Sequence, residues 1–463
     1  MKKVFFQKYI AGENKMNKRN ALKLSIILIT ALLYANTTIA DTEAIKNKIL
    51  PLREQAKIQN DWLKWRIENI LPKIMREAGI DLWLIINREY VEDPIFYTLA
   101  PQPAIYSYRT TILILHDKGG QQGVEKLSAS DYQMTKWYEN IWTDKSKGQF
   151  ENLGDVIKKI NPKKIGIDTS ETWHLADGLN ATMKARLENA LGPELSKRLV
   201  SAEKLCIDWL QIRSPQEVKE YKNIFSIAHD IIREISSSKY IKPDVTTIDD
   251  LRWQIRQKIN DLGLEAPFYP LTDIQRSKKD AERYKDDPNI IRRGDLIHCD
   301  MGTRYLGLCT DMQWHIYVCK EGQSDAPEGL KRGLQDTIKF AKILTGEFKE
   351  GRTGEEITKA ALEKAKAADI NSVVYSHSIG TYVHSAGVRL ETRPKEEAGV
   401  GSYERTYYKI PLNTVYAIEF HCLSNIPEWD DKEIQIGFED EAALTKDGCN
   451  FVDGYIENYF FIK

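Results

Sequence analysis

The chain lacks most features that would place it at a glance. Its six cysteines in 463 residues include no C-x-x-C pair, which excludes a zinc ribbon or a thioredoxin-like motif. Lys+Arg 66 against Asp+Glu 67 leaves a net charge of -1, so nothing global calls for nucleic acid as a partner. No long low-complexity linker and no obvious tandem repeat is present. The N-terminal apolar run, Leu24 to Leu33, is about half the length that a bilayer-crossing helix needs. Residues 41–205 carry neither a Gly-rich phosphate loop nor a nucleophile elbow, so nothing in them demands catalysis.

What is present reads as a globular protein behind a leader. At 42% hydrophobic and 29% charged residues the composition is that of a soluble folded protein. Its length exceeds what one core supports, so two domains are expected. From Met16 the chain reads MNKRNALKLSIILITALLYANTTIA, with Lys18, Arg19 and Lys23 ahead of the apolar core and small residues at Thr38-Ile39-Ala40. That is the order of a secretory signal peptide. Residues 1–40 are therefore expected to be removed, with Met16 as a candidate true start. The mature chain is then exported, periplasmic or secreted, with no stable membrane anchor. An even cysteine count permits disulfides in that compartment, but free cysteines packed as small apolar residues are the default reading.

Helix and strand patterns alternate after the leader. Leu52–Ala78 is a long amphipathic stretch, and residues 80–86, 110–115 and 164–168 are short buried-strand candidates. Such alternation predicts an α/β layer domain over 41–205. Ser214-Pro215-Gln216-Glu217 is a capping box that opens a helix. A second helix starts at Thr246/Thr247 and stops before Gly263, and two more span about 327–347 and 354–369. Strands are expected at 296–301 and 308–318.

Chemistry concentrates in the last third, where Asp300, Asp311, His377, Glu419 and Glu439 follow in order. The first two lie in DLIHCDMGTRYLGLCTDMQW, with Gly302 and Gly307 between them. A hairpin turning near Arg304–Leu306 would pair them across its two strands. Glu419 ends the apolar run VYAIE, and aspartate or glutamate within an apolar strand is costly unless compensated. A divalent cation compensates it. Each residue has an ordinary reading: two hairpin aspartates, a core or surface histidine, an acidic turn at Glu439, Asp440 and Glu441. His384, seven residues after His377, could reach the same site if the chain turns at Ile379-Gly380. As an ordered set they form a hard, oxygen-rich ligand group suited to a pair of divalent ions.

On these motifs the sequence resembles the pita-bread metallopeptidases: Xaa-Pro aminopeptidase, prolidase, more distantly methionine aminopeptidase, and the metal-free creatinase. The resemblance covers nearly the whole mature chain. It implies an α/β (α+β) fold with a creatinase-like N-terminal domain over 41–205 and a pita-bread catalytic domain over 206–463. It also implies two divalent ions, Mn²⁺ ahead of Co²⁺, Zn²⁺ or Fe²⁺, on Asp300, Asp311, His377, Glu419 and Glu439. Asp311 and Glu439 would bridge the ions, Glu419 would also shuttle a proton, and His384 would contact the developing tetrahedral centre. A short peptide as substrate, a homodimer, and aminopeptidase or dipeptidase action, with Xaa-Pro bonds as one target, follow from the same resemblance.

The pattern departs from the family outside the five ligands. No histidine stands between His229 and His298, where the family has one upstream of the first aspartate. Asp311 is followed by Met312-Gln313-Trp314-His315 rather than a Thr-Arg-Thr/Ser run. Phe420 and His421 replace the proline after Glu419, and Gly437 stands where aminopeptidase P often has arginine. His421 would share the face of Glu419, with a surface histidine as its ordinary reading. Trp314 and Trp429 are read as pocket or core. The departures keep open a metal-dependent enzyme acting on a small non-peptide substrate and, behind it, a binding module without catalysis.

Overall fold

A computed structural model describes residues 42–130, 134, 136–398, 401 and 403–463. The signal peptide expected over residues 1–40 falls outside these residues. By its contacts the chain divides into residues 1–49 and Leu50–Lys463.

In the larger unit the amphipathic stretch 52–78 forms two helices, α1 (Leu52–Asn69) and α2 (Leu71–Ala78), broken at Ile70. Pro72, with no N–H and a ring that clashes with the preceding turn, sits where the second helix can start but the first cannot continue. Six strands follow: β1 (Leu82–Arg88), β2 (Thr110–Asp117), β3 (Val124–Ala129), β4 (Glu139–Asn140), β5 (Ile165–Ile167) and β6 (Leu199–Ser201). They make a mixed sheet in the order β4-β3-β2-β1-β5-β6. β1 is buried along all but its last residue, as expected of a central strand covered on both faces. Helices α3 (Gln149–Ile160) and α4 (Ala181–Ser196) pack on one side of it through Leu153, Ile157, Met183 and Leu187.

Helix α5 (Glu203–Gln211) leads from this layer into the second, and the expected boundary at 205/206 falls within it. Ser214 caps α6 (Pro215–Ile235), with the reciprocal Glu217 bond present. Thr247 caps α7 (Ile248–Asp261), and Gly263 follows its end at φ 74°, a left-handed position that glycine takes without strain. The second sheet holds β7 (Leu271–Gln275), β8 (Leu296–Met301), β11 (Met312–Val318), β12 (Asn371–Val374), β14 (Thr414–Ile426) and β15 (Lys432–Thr445). Their order is β12-β14-β15-β11-β8-β7, with the short β13 (His377–Ser378) on β14. Helix α8 (Glu328–Glu347) packs on its back through Phe340 and Leu344, joined by α9 (Gly354–Ala367) through Ile357 and Ala361.

The expected strand 308–318 is split. β9 (Arg304–Tyr305) and β10 (Leu308–Cys309) form a separate two-residue ladder at the tip, turning at Leu306 and Gly307, both with positive φ. Below the tip the backbones close tightly, since a side chain at Gly302 would run into the Thr310 carbonyl. In this register the partner of Asp300 is Gln313, while Asp311 lies just ahead of β11. The hairpin thus brings the two aspartates together without making them cross-strand partners. Trp314 and Trp429 are both core residues. All six cysteines are free, and five are buried.

Candidate metal centre

Four adjacent strands place one residue each in a single row. Asp300 of β8 stands opposite Gln313 of β11, Gln313 opposite Glu439 of β15, and Glu439 opposite Glu419 of β14. Opposed residues of antiparallel strands share a face, so three carboxylates and one amide line it. Asp311, two residues before Gln313, joins Asp300 and Glu439 within ligand reach. β13 sets His377 opposite Ala417, two residues before Glu419, which adds the imidazole to the same face. Ser376 holds this segment in place: its Oγ accepts from the Glu419 N–H and donates to the Glu419 carbonyl, both at 2.9 Å.

Three polar atoms at the centre have no hydrogen-bond partner. His377 Nδ1 lies 3.2 Å from the Ser378 carbonyl, so this nitrogen carries the proton and Nε2 presents a lone pair. That lone pair faces Asp311 Oδ2 at 3.6 Å, Glu419 Oε2 at 3.6 Å and Glu439 Oε1 at 3.7 Å. His377 Nε2, Glu439 Oε1 and Asp300 Oδ1 are buried without a hydrogen bond. Acceptors aimed at one another in a buried space repel unless a cation stands among them. Separations of 3.6 to 3.7 Å are those of ligands sharing one ion at about 2.0–2.2 Å each. The five residues fit a divalent metal.

Electrostatics agree. Burial pushes the carboxyl of Asp300 up to about 6 and that of Glu419 up to about 8, the latter helped by Asp300. Asp311 and Glu439 are raised further by burial and by the carboxylates beside them. His377 is held well below its usual range, first by burial and then by His384 and Arg389, so it is neutral and free to ligate. His384 packs edge-on against His377, ring centroids 4.6 Å apart. It is exposed at the mouth of the site and can reach Asp311 and His377 as a ligand group. Loss of water around its ring, then Arg389, lowers its basicity.

Glu439, expected as a ligand, has the weakest local signal of the five. As an isolated motif Glu439-Asp440-Glu441 looks like a solvated turn, yet all three are buried in the middle of β15. Glu441 accepts from the Asp311 N–H at 2.6 Å, and Asp440 accepts from His229 at 3.2 Å. His421 is half-buried rather than a surface residue and meets the Tyr375 hydroxyl at 3.2 Å. Gln313 was visible only as a departure from a family pattern. Its amide donates to Glu419 Oε1 at 2.8 Å and Glu439 Oε2 at 3.1 Å, and its Oε1 lies 2.9 Å from His298 Nε2. Strand register, not any motif, is the signal that would have found it. A cavity of about 500 Å³ lined by Arg66, Tyr97, Arg304 and Tyr382 is bordered by none of the five ligands.

The model of metallopeptidase family M24 matches residues 219–446, a span that includes all five. An uncharacterised peptidase of Bacillus subtilis, YqhT, is 23% identical over 257 residues, covering 54% of this chain and 67% of that one. A Mycoplasma genitalium protein, provisionally named a Xaa-Pro aminopeptidase, is 22% identical over 192 residues, and the chain spans about half (54%) of its length. Among solved structures, the X-Pro aminopeptidase of Thermotoga maritima superposes with a TM-score of 0.61 at 16% identity, covering 84% of this chain and 99% of its own. The Xaa-Pro dipeptidase of Bacillus anthracis gives 0.56 at 16% identity over 88% of this chain and 99% of its own. The mixed α/β architecture is the pita-bread fold of these proteins.

Proposed function

From a chain that carries a peptidase domain of metallopeptidase family M24 over residues 219–446, we propose an exported enzyme that uses two divalent cations to hydrolyse the N-terminal bond of short peptides, Xaa-Pro bonds among them. The observation that carries this reading is the His377 lone pair facing three buried carboxylate oxygens at 3.6 to 3.7 Å. Asp300, Asp311, His377, Glu419 and Glu439 would hold the cations, Mn²⁺ foremost. When bound, such ions make water acidic enough to attack at neutral pH and polarise the scissile carbonyl.

The chain's own groups do the rest. Glu419, as a carboxylate beside the cations, would take the proton of the attacking water and hand it to the leaving amine. His384, at the open edge of the site, donates an imidazole N–H to the carbonyl oxygen as it turns into an oxyanion. Export rests on the leader from Met16, and a homodimer is proposed by family resemblance.

The test is mass-spectrometric product analysis of the Mn²⁺-loaded mature protein on short peptides with Pro or Ala in the second position. Release of the first residue, abolished by a chelator, is the expected result. Dipeptides cleaved to the exclusion of longer peptides would make it a dipeptidase. No cleavage of any peptide by the loaded protein would overturn the reading in favour of a small non-peptide substrate.

A further inference from the structure

We propose that Gln313 is the positioning residue of this site, fixing which oxygens Glu419 and Glu439 present to the cations. The proposal rests on the metal reading above. Gln313 occupies the one place in the four-strand row that is not a carboxylate, directly between Asp300 and Glu439. Both protons of its amide are used: one reaches Glu419 Oε1 at 2.8 Å, the other Glu439 Oε2 at 3.1 Å. Those are the outer oxygens. The remaining ones, Glu419 Oε2 and Glu439 Oε1, are the pair that faces His377. One neutral side chain thus orients two carboxylates and adds no charge to a crowded acidic site.

The amide is itself held in one orientation. Its Oε1 lies 2.9 Å from His298 Nε2, and His298 Nδ1 is braced by Asp273 Oδ2 at 2.6 Å. Turned over, the amide would point its oxygen at two carboxylates. Gly437 completes the arrangement. A side chain there would lie 2.5 Å from Gln313 Oε1 and 3.4 Å from His298 Nε2. Room for the amide therefore depends on glycine at 437, two residues from Glu439 on the same strand face. Gln313, His298, Asp273 and Gly437 come from four separate strands and converge on one contact. Partners of this kind, which hold metal-binding side chains in place, typically change metal affinity 10- to 100-fold when removed.

The experiment is titration of the metal-stripped protein with Co²⁺, reading both the dissociation constant and the visible absorption band of the bound ion. Gln313→Met keeps the side-chain length and loses the amide. It should weaken Co²⁺ binding about 10- to 100-fold and shift the band. Gly437→Ala should weaken binding by displacing the amide. In the Gln313→Met background the same alanine should add little, because the group it displaces is gone. Melting with chelator present shows that each variant is folded. Wild-type affinity and an unchanged band in Gln313→Met would overturn the proposal, as would fully additive losses in the double variant. A wild-type protein that takes up no Co²⁺ would overturn the metal reading itself, a different outcome from a wild-type protein that binds and a Gln313→Met variant that binds equally well.

Discussion

At the scale of single residues, buried acids dominate, and not all of them serve the metal centre. Asp93 and Asp168 are both buried, and Oδ2 of each has no hydrogen-bond partner. Burial raises both, Asp168 to about 6 and Asp93 further, with the charge of Asp168 adding to the latter. A carboxyl raised in the folded state binds more protons folded than unfolded, so stability falls as pH rises from about 4 through the folded value. Asp93→Asn replaces a carboxyl that burial drives toward its neutral form with a group that carries no charge at any pH. It is expected to raise stability at pH 8 by on the order of 1–3 kcal/mol, and to have little effect at pH 4. Thermal denaturation at the two pH values checks it. Sequence alone showed neither this pair nor Gln313, because both depend on which distant residues the strands bring together. Asp300, Asp311 and Glu419 were legible as candidate ligands because apolar flanks make a lone carboxylate improbable without compensation, and His377 and Glu439 only through the ordered set and the family it resembles. Their mutual distances were not.

At the scale of elements, capping and hairpin chemistry carry the predictions. Ser214 accepts from the Glu217 N–H at 3.1 Å, while the Glu217 carboxylate accepts from the Ser214 N–H at 2.7 Å. Ser214→Ala should therefore cost about 1 kcal/mol in a denaturant melt. Glu217 is also ion-paired to Arg66 of α1 and to Arg213, at 3.6 and 3.4 Å, so its cap ties two helices together. Gly302→Ala is a stronger change. The new methyl would meet the Thr310 carbonyl and lie 2.7 Å from the Phe268 ring, prising apart the hairpin that carries Asp300 and Asp311. A loss of about 1–3 kcal/mol together with weakened metal binding is expected, measured by melting and by metal titration. The capping boxes and long helices were readable from local sequence because their signals are local. The split at residues 308–312 was not, since only the close approach of Gly302 to Thr310 imposes it.

At the scale of the whole molecule, the candidate metal centre should couple folding to pH. Asp300 stands at about 6 and Glu419 at about 8 in the protein without cations, with Asp311 and Glu439 raised by the same burial. All four shifts are upward, so metal-free stability should fall as pH rises from about 4 to about 8. Cations bind the deprotonated carboxylates and should restore the loss, with the increment largest at the alkaline end. Melting curves across pH 5 to 8, with chelator and with Mn²⁺, should diverge as pH rises; parallel curves would contradict the account. The two-layer, mixed α/β plan was legible from the alternation of helical and extended periodicity. Strand order was not, because the long-range pairing of β11 with both β8 and β15 leaves no mark on either segment alone.

Metal content is the most direct test of the central claim. The mature protein and its His377→Ala variant would be dialysed against Mn²⁺, then against buffer, and the bound ion counted by inductively coupled plasma mass spectrometry. The account predicts two equivalents in the wild type and fewer than two in the variant, whose removed lone pair faces Asp311, Glu419 and Glu439. A folded wild-type protein that retains no divalent ion, or a variant that retains as many as the wild type, would contradict it.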